Sequence, residues 1–270
     1  AQKRHLNVDE IHPEMPHTDD LLLVHDPIYV HDVTIKGESD EWDGQRHDLG
    51  ELAKLFVGGT LTALDALLNK KTLLAINLAG AKHHAMRDYS SGFCIFADFA
   101  IAATKATELG ERVAIFDIDA HHGDGTEMLL KSNKNVMTFS VHQYGIFPGT
   151  GLISDYKNRA FNFPLTHGST DEDLMSATES FFEACDEFNP TMIFVACGAD
   201  GLKDDPLSEL NYTPAGYWRS LRAVREQFVN MPILLGGAGG YLPDTGTPEV
   251  WRNAMLALTA VQTEVVIPDL

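Results

Sequence analysis

At 270 residues, 44% of them apolar and 22% charged, the chain has the balance of an ordinary globular protein and enough length to bury the core of one large domain. Its formal net charge of -19, from 20 Lys+Arg against 39 Asp+Glu, argues against direct nucleic-acid binding, because a phosphate backbone needs a basic footprint. No apolar run approaches the roughly 20 residues that cross a bilayer, and AQKRHLNVDE at the start lacks the apolar core of a secretory signal, so a cytoplasmic protein with no membrane partner is the expectation.

The three scattered cysteines, Cys94, Cys185 and Cys197, form no CxxC pair and read as reduced core thiols. Residues 1–48 are polar and irregular, with HPEMPH at 12–17, a short apolar piece LLLVHDPIYV at 21–30 and an acidic loop at 37–48. Residues 49–69 carry helical spacing, with Gly58 and Gly59 placed for close packing or a bend. Six apolar strand-like runs follow, at 73–80, 112–119, 136–142, 161–165, 192–200 and 232–239. Helical patterns separate or follow them at 91–108, 125–132, 170–188, 213–229 and 247–263, with Thr170 and Thr213 as N-caps. Continuous apolar strands alternating with helices predict an α/β fold, a mostly parallel sheet between two helical layers. No repeat, low-complexity stretch or linker divides residues 1–270, so one domain is expected.

In such sheets binding sites lie at the carboxyl ends of the strands, where this chain concentrates its reactive side chains. DIDAHHGDG at 117–125 is the densest case. Side chains at i and i+2 of an extended segment share a side, so Asp119 and His121 aim at one point with Asp117 behind them. A carboxylate and an imidazole converging there suit a divalent metal, and Asp200, after another strand, is the natural third ligand. Two oxygens and one nitrogen suit Zn(II) and also accept Fe(II), Mn(II) or Co(II). The bland alternatives are a solvated loop for the motif and a helix cap for Asp200. His83 and His84 point different ways, so one ring suits taking a proton from water and the other holding or delivering one, with Asp117 and Asp124 as carboxylate partners. Tyr241 follows GGAGG and can donate to a developing oxyanion. That glycine run lacks the Lys-Ser/Thr of a phosphate loop. Gly92 and Phe93 in SSGFC, and Phe147 in GIFPGTG, suit the walls of a narrow apolar channel, where core packing is the plain alternative.

Taken together, AKHHA, SSGFC, DIDAHHGDG, VMTFSVH, FPGTG, CGADG, DDPL and GGY, in that order over about residues 49–251, resemble the zinc-dependent histone deacetylase family. That family includes acetoin utilisation proteins and acetylpolyamine amidohydrolases and shares the arginase-like fold. The resemblance implies zinc on Asp119, His121 and Asp200, tandem histidines at His83 and His84 partnered by Asp117 and Asp124, and Tyr241 polarising the substrate carbonyl. It implies an acyl-lysine channel walled by Phe93 and Phe147. It also implies a structural potassium ion near Asp117, Asp119, His121, Ser140 and Val141. The implied reaction is hydrolysis of an acetylated amine, an acetyl-lysine peptide or protein first and an acetylpolyamine or other small acetylated amine second. An arginase-like ureohydrolase with two metals, or an acyl-binding protein without turnover, is the competing reading.

Three departures stand out. HPEMP is followed almost at once by VHDPIYV, so this end is shortened, which opens the channel rim or leaves a surface for another subunit in a homo-oligomer. GGAGGY carries one residue more than the usual GGGGY. Asp40, Glu41 and Asp43 are all candidates for the acidic residue that holds substrate.

Overall fold

In the computed structural model, which describes residues 8–41 and 46–259, the segment before the first long helix is not irregular. It forms α1 (Thr18–Leu22) and α2 (Pro27–His31), then a π-helical turn at Asp32–Lys36. Helices this short show no resolvable apolar period and owe their stability to tertiary contacts. Asp26 caps α2 by accepting from Ile28 N at 2.8 Å, and Leu21, Tyr29, Val30 and Val33 are buried. Next, α3 (Leu49–Leu68) runs unbroken through Gly58 and Gly59. Close packing rather than a bend explains Gly58, since a Cβ there would strike the main-chain carbonyl of Glu14 as the HPE segment crosses the helix.

The alternating part follows as β1 (Leu74–Asn77), α4 (Asp98–Glu108), β2 (Val113–Asp117), α5 (Asp124–Leu130), β3 (Val136–Gln143) and β4 (Ala160–Leu165). It continues with α6 (Asp171–Phe188), β5 (Met192–Ala196), α7 (Pro214–Gln227), β6 (Ile233–Gly236) and α8 (Gly246–Leu258). All six expected strands form. Helix α4 starts at Asp98 instead of near residue 91, because Ser91 and Cys94 close a small antiparallel bridge and Gly92 and Phe93 between them have positive φ. Thr213 caps α7 by accepting from Gly216 N at 3.1 Å, and Thr170 N donates to Asp173 at 2.7 Å in the first turn of α6.

The strands form one parallel sheet in the order β1-β6-β5-β2-β3-β4. Alternate side chains of β2 serve opposite layers. Val113 and Ile115 join a core with α3 and α4, while Ala114 and Phe116 join one with α6, α7 and α8. The chain leaves β2 toward β3 on one side, and leaves β5 toward β6 on the other. The topological switch point therefore lies between β2 and β5, and their carboxyl ends open a crevice there.

The α1–α2 hairpin braces the loop between β1 and α4. His25, buried, donates through Nδ1 to Met86 O at 2.9 Å and accepts from Ala97 N at Nε2 at 2.9 Å. Asp26 N donates to Arg87 O at 2.8 Å and the Tyr29 hydroxyl to Ile95 O at 2.7 Å. Among the described residues no helix is long and apolar enough to cross a membrane, and all three cysteines are buried free thiols.

Burial lowers the His25 pKa from 6.5 to about 4, so the folded protein keeps this ring neutral where the unfolded chain protonates it. The stability tied to His25 is complete above pH 6.5 and is lost as pH falls toward 4. Urea unfolding should show the gap in stability between wild type and His25→Gln narrowing by about 2 kcal/mol from pH 7 to pH 5. Parallel pH slopes for the two proteins would show that His25 is not the group responsible.

Candidate active site

The crevice at the switch point holds the three expected metal ligands. Asp119 and His121 follow β2, and Asp200 follows β5 in a 3-10 turn at Ala199–Gly201. All three are buried, and their ligand atoms lie within 4.8 Å of one another. His121 Nδ1 stands 3.1 Å from Asp119 Oδ1 and 2.9 Å from Asp200 Oδ2. Backbone donors orient the carboxylates: Gly239 N donates to Asp119 Oδ2 at 2.8 Å, and Ala120 N donates to Asp200 Oδ1 at 2.8 Å. A Cβ at Gly239 would lie 2.5 Å from Asp200 Oδ2 and 2.8 Å from Asp119 Oδ2, so only glycine fits against the pair.

The electrostatics call for a cation. Burial, then the Asp119 charge, pushes the Asp200 carboxyl up to about 7. Burial opposes charge on His121, yet Asp119 and Asp200 together raise it to about 10. The crowding of two buried carboxylates about one imidazole thus favours the protonated forms of Asp200 and His121, where a positive ion would serve instead. Oxygen and nitrogen donors at this spacing fit a divalent metal with positions left for exogenous ligands. Among the described residues this is the one such group, which fits a mononuclear centre better than a two-metal ureohydrolase.

His83 and His84 sit beside it with ring centroids 4.0 Å apart, and each has its expected carboxylate. His83 Nδ1 pairs with Asp117 Oδ2 at 2.7 Å, and His84 Nδ1 pairs with Asp124 Oδ1 at 2.7 Å. Their environments split them. Burial works against charge on His83, but Asp117 and Asp119 raise it to about 9. Burial and the neighbouring His83 charge lower His84 to about 4. The surroundings thus pull the two rings apart, His83 toward its charged form and His84 toward its neutral one.

A cavity of about 390 Å³ opens onto the group, lined by Asp119, His121 and both histidines. Tyr241 lines it too, with its ring 6.1 Å from that of Phe93. Burial, then Asp119 and Asp200, pushes the phenol pKa upward, so the hydroxyl stays a donor. Phe93 and Phe147 stand at the rim, 67% and 49% exposed, so neither is a core residue. Phe147 also packs edge-on against His84, centroids 4.9 Å apart. Gly92, at φ +55, is required where it is, since a Cβ would press on the His84 ring.

Of the acidic trio, Glu41 lines this cavity, Asp40 lines a separate depression with Asp26, Asp32 and Asp88, and Asp43 lies outside the described residues. Of the residues expected around potassium, Ser140 sits opposite Asp117 in the β2–β3 register, and Val141 follows it within β3.

Several residues of the quoted motifs had no role assigned from sequence. Asp205, in DDPL, is buried and accepts from Tyr241 N at 2.9 Å and Leu207 N at 3.0 Å, which anchors the tyrosine. Behind the metal ligands, buried His122 contacts Thr150 Oγ1 at 2.8 Å and Glu127 Oε2 at 3.0 Å. His142 contacts Gly151 O at 3.0 Å. Together they tie the Phe147 loop to the metal strand.

A family model described as a histone deacetylase domain matches residues 1–258. Histone deacetylase 8 of Xenopus tropicalis is 35% identical over 271 residues, covering 94% of this chain and 71% of that protein. The acetoin utilization protein AcuC of Bacillus subtilis (strain 168) is 32% identical over 285 residues, covering 96% and 74%. Among solved structures, the HDA15 HD domain superposes with a TM-score of 0.84 over 92% of this chain and 76% of that one, at 24% identity, a likeness of fold.

Asp200→Asn should weaken zinc binding by more than about 10²-fold, a larger effect than loss of an outer partner usually has. Calorimetric titration of metal-free protein measures this, and wild-type affinity in the variant would remove Asp200 from the ligand set.

Proposed function

Because the chain belongs to the histone deacetylase family, hydrolases that remove acetyl groups, we propose that it is a zinc-dependent amidohydrolase acting on the acetylated side chain of lysine. The observation that carries this reading is one cavity onto which Asp119, His121, His83, His84 and Tyr241 all open, rimmed by Phe93 and Phe147. The two rim phenylalanines take the methylene chain between their faces and exclude water beside it. Zinc, held by Asp119, His121 and Asp200, would supply Lewis acidity to the acetyl carbonyl and make water acidic enough to attack.

The chain's own groups do the rest. His84, neutral and fixed by Asp124, takes the proton of the attacking water and returns it to the nitrogen as the C–N bond breaks. His83, tied to Asp117, holds positive charge beside the negative charge that develops. Tyr241 donates its hydroxyl hydrogen to the carbonyl oxygen as that oxygen gains charge. The products are acetate and a free amine.

A second reading, a small acetylated polyamine as substrate, is favoured by Glu41. This lining carboxylate lies outside the metal group and suits the far ammonium of such a molecule. Its main chain is fixed where Glu41 N donates to Ser90 Oγ at 3.0 Å.

Zinc-loaded protein should release acetate from acetyl-lysine peptides, and Tyr241→Phe should lower kcat by about 10² to 10³ with metal content unchanged. Absence of acetate release from both peptides and acetylpolyamines, with metal bound, would sink the deacetylase reading. Glu41→Gln separates the substrates. A KM raised about tenfold, roughly 1.4 kcal/mol, for acetylspermidine alone supports the polyamine; a rise for peptide alone supports lysine.

A further inference from the structure

Asp98 is a fully buried carboxylate to which the reaction above gives no task. It opens α4 and accepts three hydrogen bonds: from Thr60 Oγ1 at 2.5 Å, Ala81 N at 2.9 Å and Lys82 N at 2.7 Å. The direction of the first is fixed, because Thr60 Oγ1 itself accepts from Asn77 Nδ2 at 2.9 Å, leaving its own hydrogen for Asp98. Burial pushes the Asp98 pKa up, and against that every neighbour in this set is a donor and the positive end of the helix dipole adds to them.

What this carboxyl group holds is the turn that leads into the histidine pair. Ala81 has φ +64, a left-handed conformation that costs a residue with a Cβ about 1 kcal/mol or more and persists where surrounding bonds enforce it. A Cβ at Gly80 would lie 2.6 Å from Asp98 Oδ2 and 2.7 Å from Thr60 Oγ1, so the chain closes directly onto the carboxylate. Two residues further on are His83 and His84. Gly80 O accepts from Ala238 N at 3.1 Å, which joins the same turn to the run that carries Tyr241.

We infer that Asp98 is a positioning residue for the reaction: its carboxylate, with Thr60, fixes the turn at residues 80–82 that aims His83 and His84 into the cavity. This rests on the deacetylase reading. An amide at this position would turn its NH2 toward one of the two backbone N–H groups in either flip, whereas a Thr60→Val change removes one donor and leaves the carboxylate in place.

The test uses full-length, zinc-loaded Asp98→Asn, Thr60→Val and Thr60→Ser with an acetyl-lysine peptide, alongside metal content and affinity for a hydroxamate. The expected result is a kcat lowered about tenfold or more in Asp98→Asn and several-fold in Thr60→Val, with KM, zinc content and hydroxamate affinity near wild type, and recovery in Thr60→Ser. Unchanged kcat in Thr60→Val, or zinc content falling in step with kcat, would overturn the assignment. Thr60→Val and Thr60→Ser decide the matter if Asp98→Asn does not fold. Should wild type bind zinc and turn nothing over, the function reading fails separately. The downfield imidazole N–H resonances of His83 and His84 then decide this inference: shifted in Thr60→Val and restored in Thr60→Ser supports it, unshifted in both refutes it.

Discussion

Three carboxylates, Asp117, Asp119 and Asp200, are buried where β2 and β5 end side by side, and a buried carboxylate without partners costs many kcal/mol. The surrounding structure is arranged to supply those partners. Asp117 faces His83 and accepts from Asp119 N at 3.1 Å. Asp119 accepts from His121 N and Gly239 N, and Asp200 accepts from Ala120 N. His121 is then shared between two anions, so the group remains short of positive charge on the side facing the cavity. The sheet order makes this possible. Its switch point lets loops from β2 and β5 meet at one place, and nearly continuous burial of both strands keeps water from screening what they hold.

Much of this was written locally. The six strands were legible because each is a short apolar run bounded by polar or glycine residues, and Asp119 with His121 because an i, i+2 pair in extended chain needs no tertiary knowledge to be placed on one side. That Asp117 and Asp124 serve the two histidines followed from counting carboxylates beyond what one ion takes, and the fold then assigns Asp117 to His83 and Asp124 to His84. The illegible residues act across long separations. His25 reaches Ala97 over 72 positions, and Tyr241 N reaches Asp205 over 36. Nothing around Asp205 distinguishes a buried anchor from a solvated turn, and nothing in VHDPIY announces a hairpin whose stability comes from the loop it braces. Such roles are set by what a side chain touches, and a single sequence does not record that.

The glycine run before Tyr241 is where sequence and structure meet least directly. The chain turns sharply here, with Ala238 at φ +50 and Gly240 at φ +152, while Gly239 between them faces Asp119 and Asp200. Its glycines answer to the carboxylates. Gly239 N donates to Asp119, Gly239 O accepts from Ala199 N at 2.7 Å, and no Cβ has room at that position. The phenol keeps its place at the cavity because Asp205 holds Tyr241 N beyond the detour. The backbone that presents Tyr241 is therefore the backbone that orients Asp119, and through Ala238 N and Gly80 O it is also joined to the turn before the histidines. A displacement of any one of these three loops is passed to the other two by single hydrogen bonds. Preorganisation of donors at a site of developing charge depends on that kind of mutual restraint, since a loop free to relax would lose its orientation when the charge appears. In this chain the restraint comes from loops tied to one another by main-chain and carboxylate hydrogen bonds, so the positions of the reactive groups follow from the sheet that carries them.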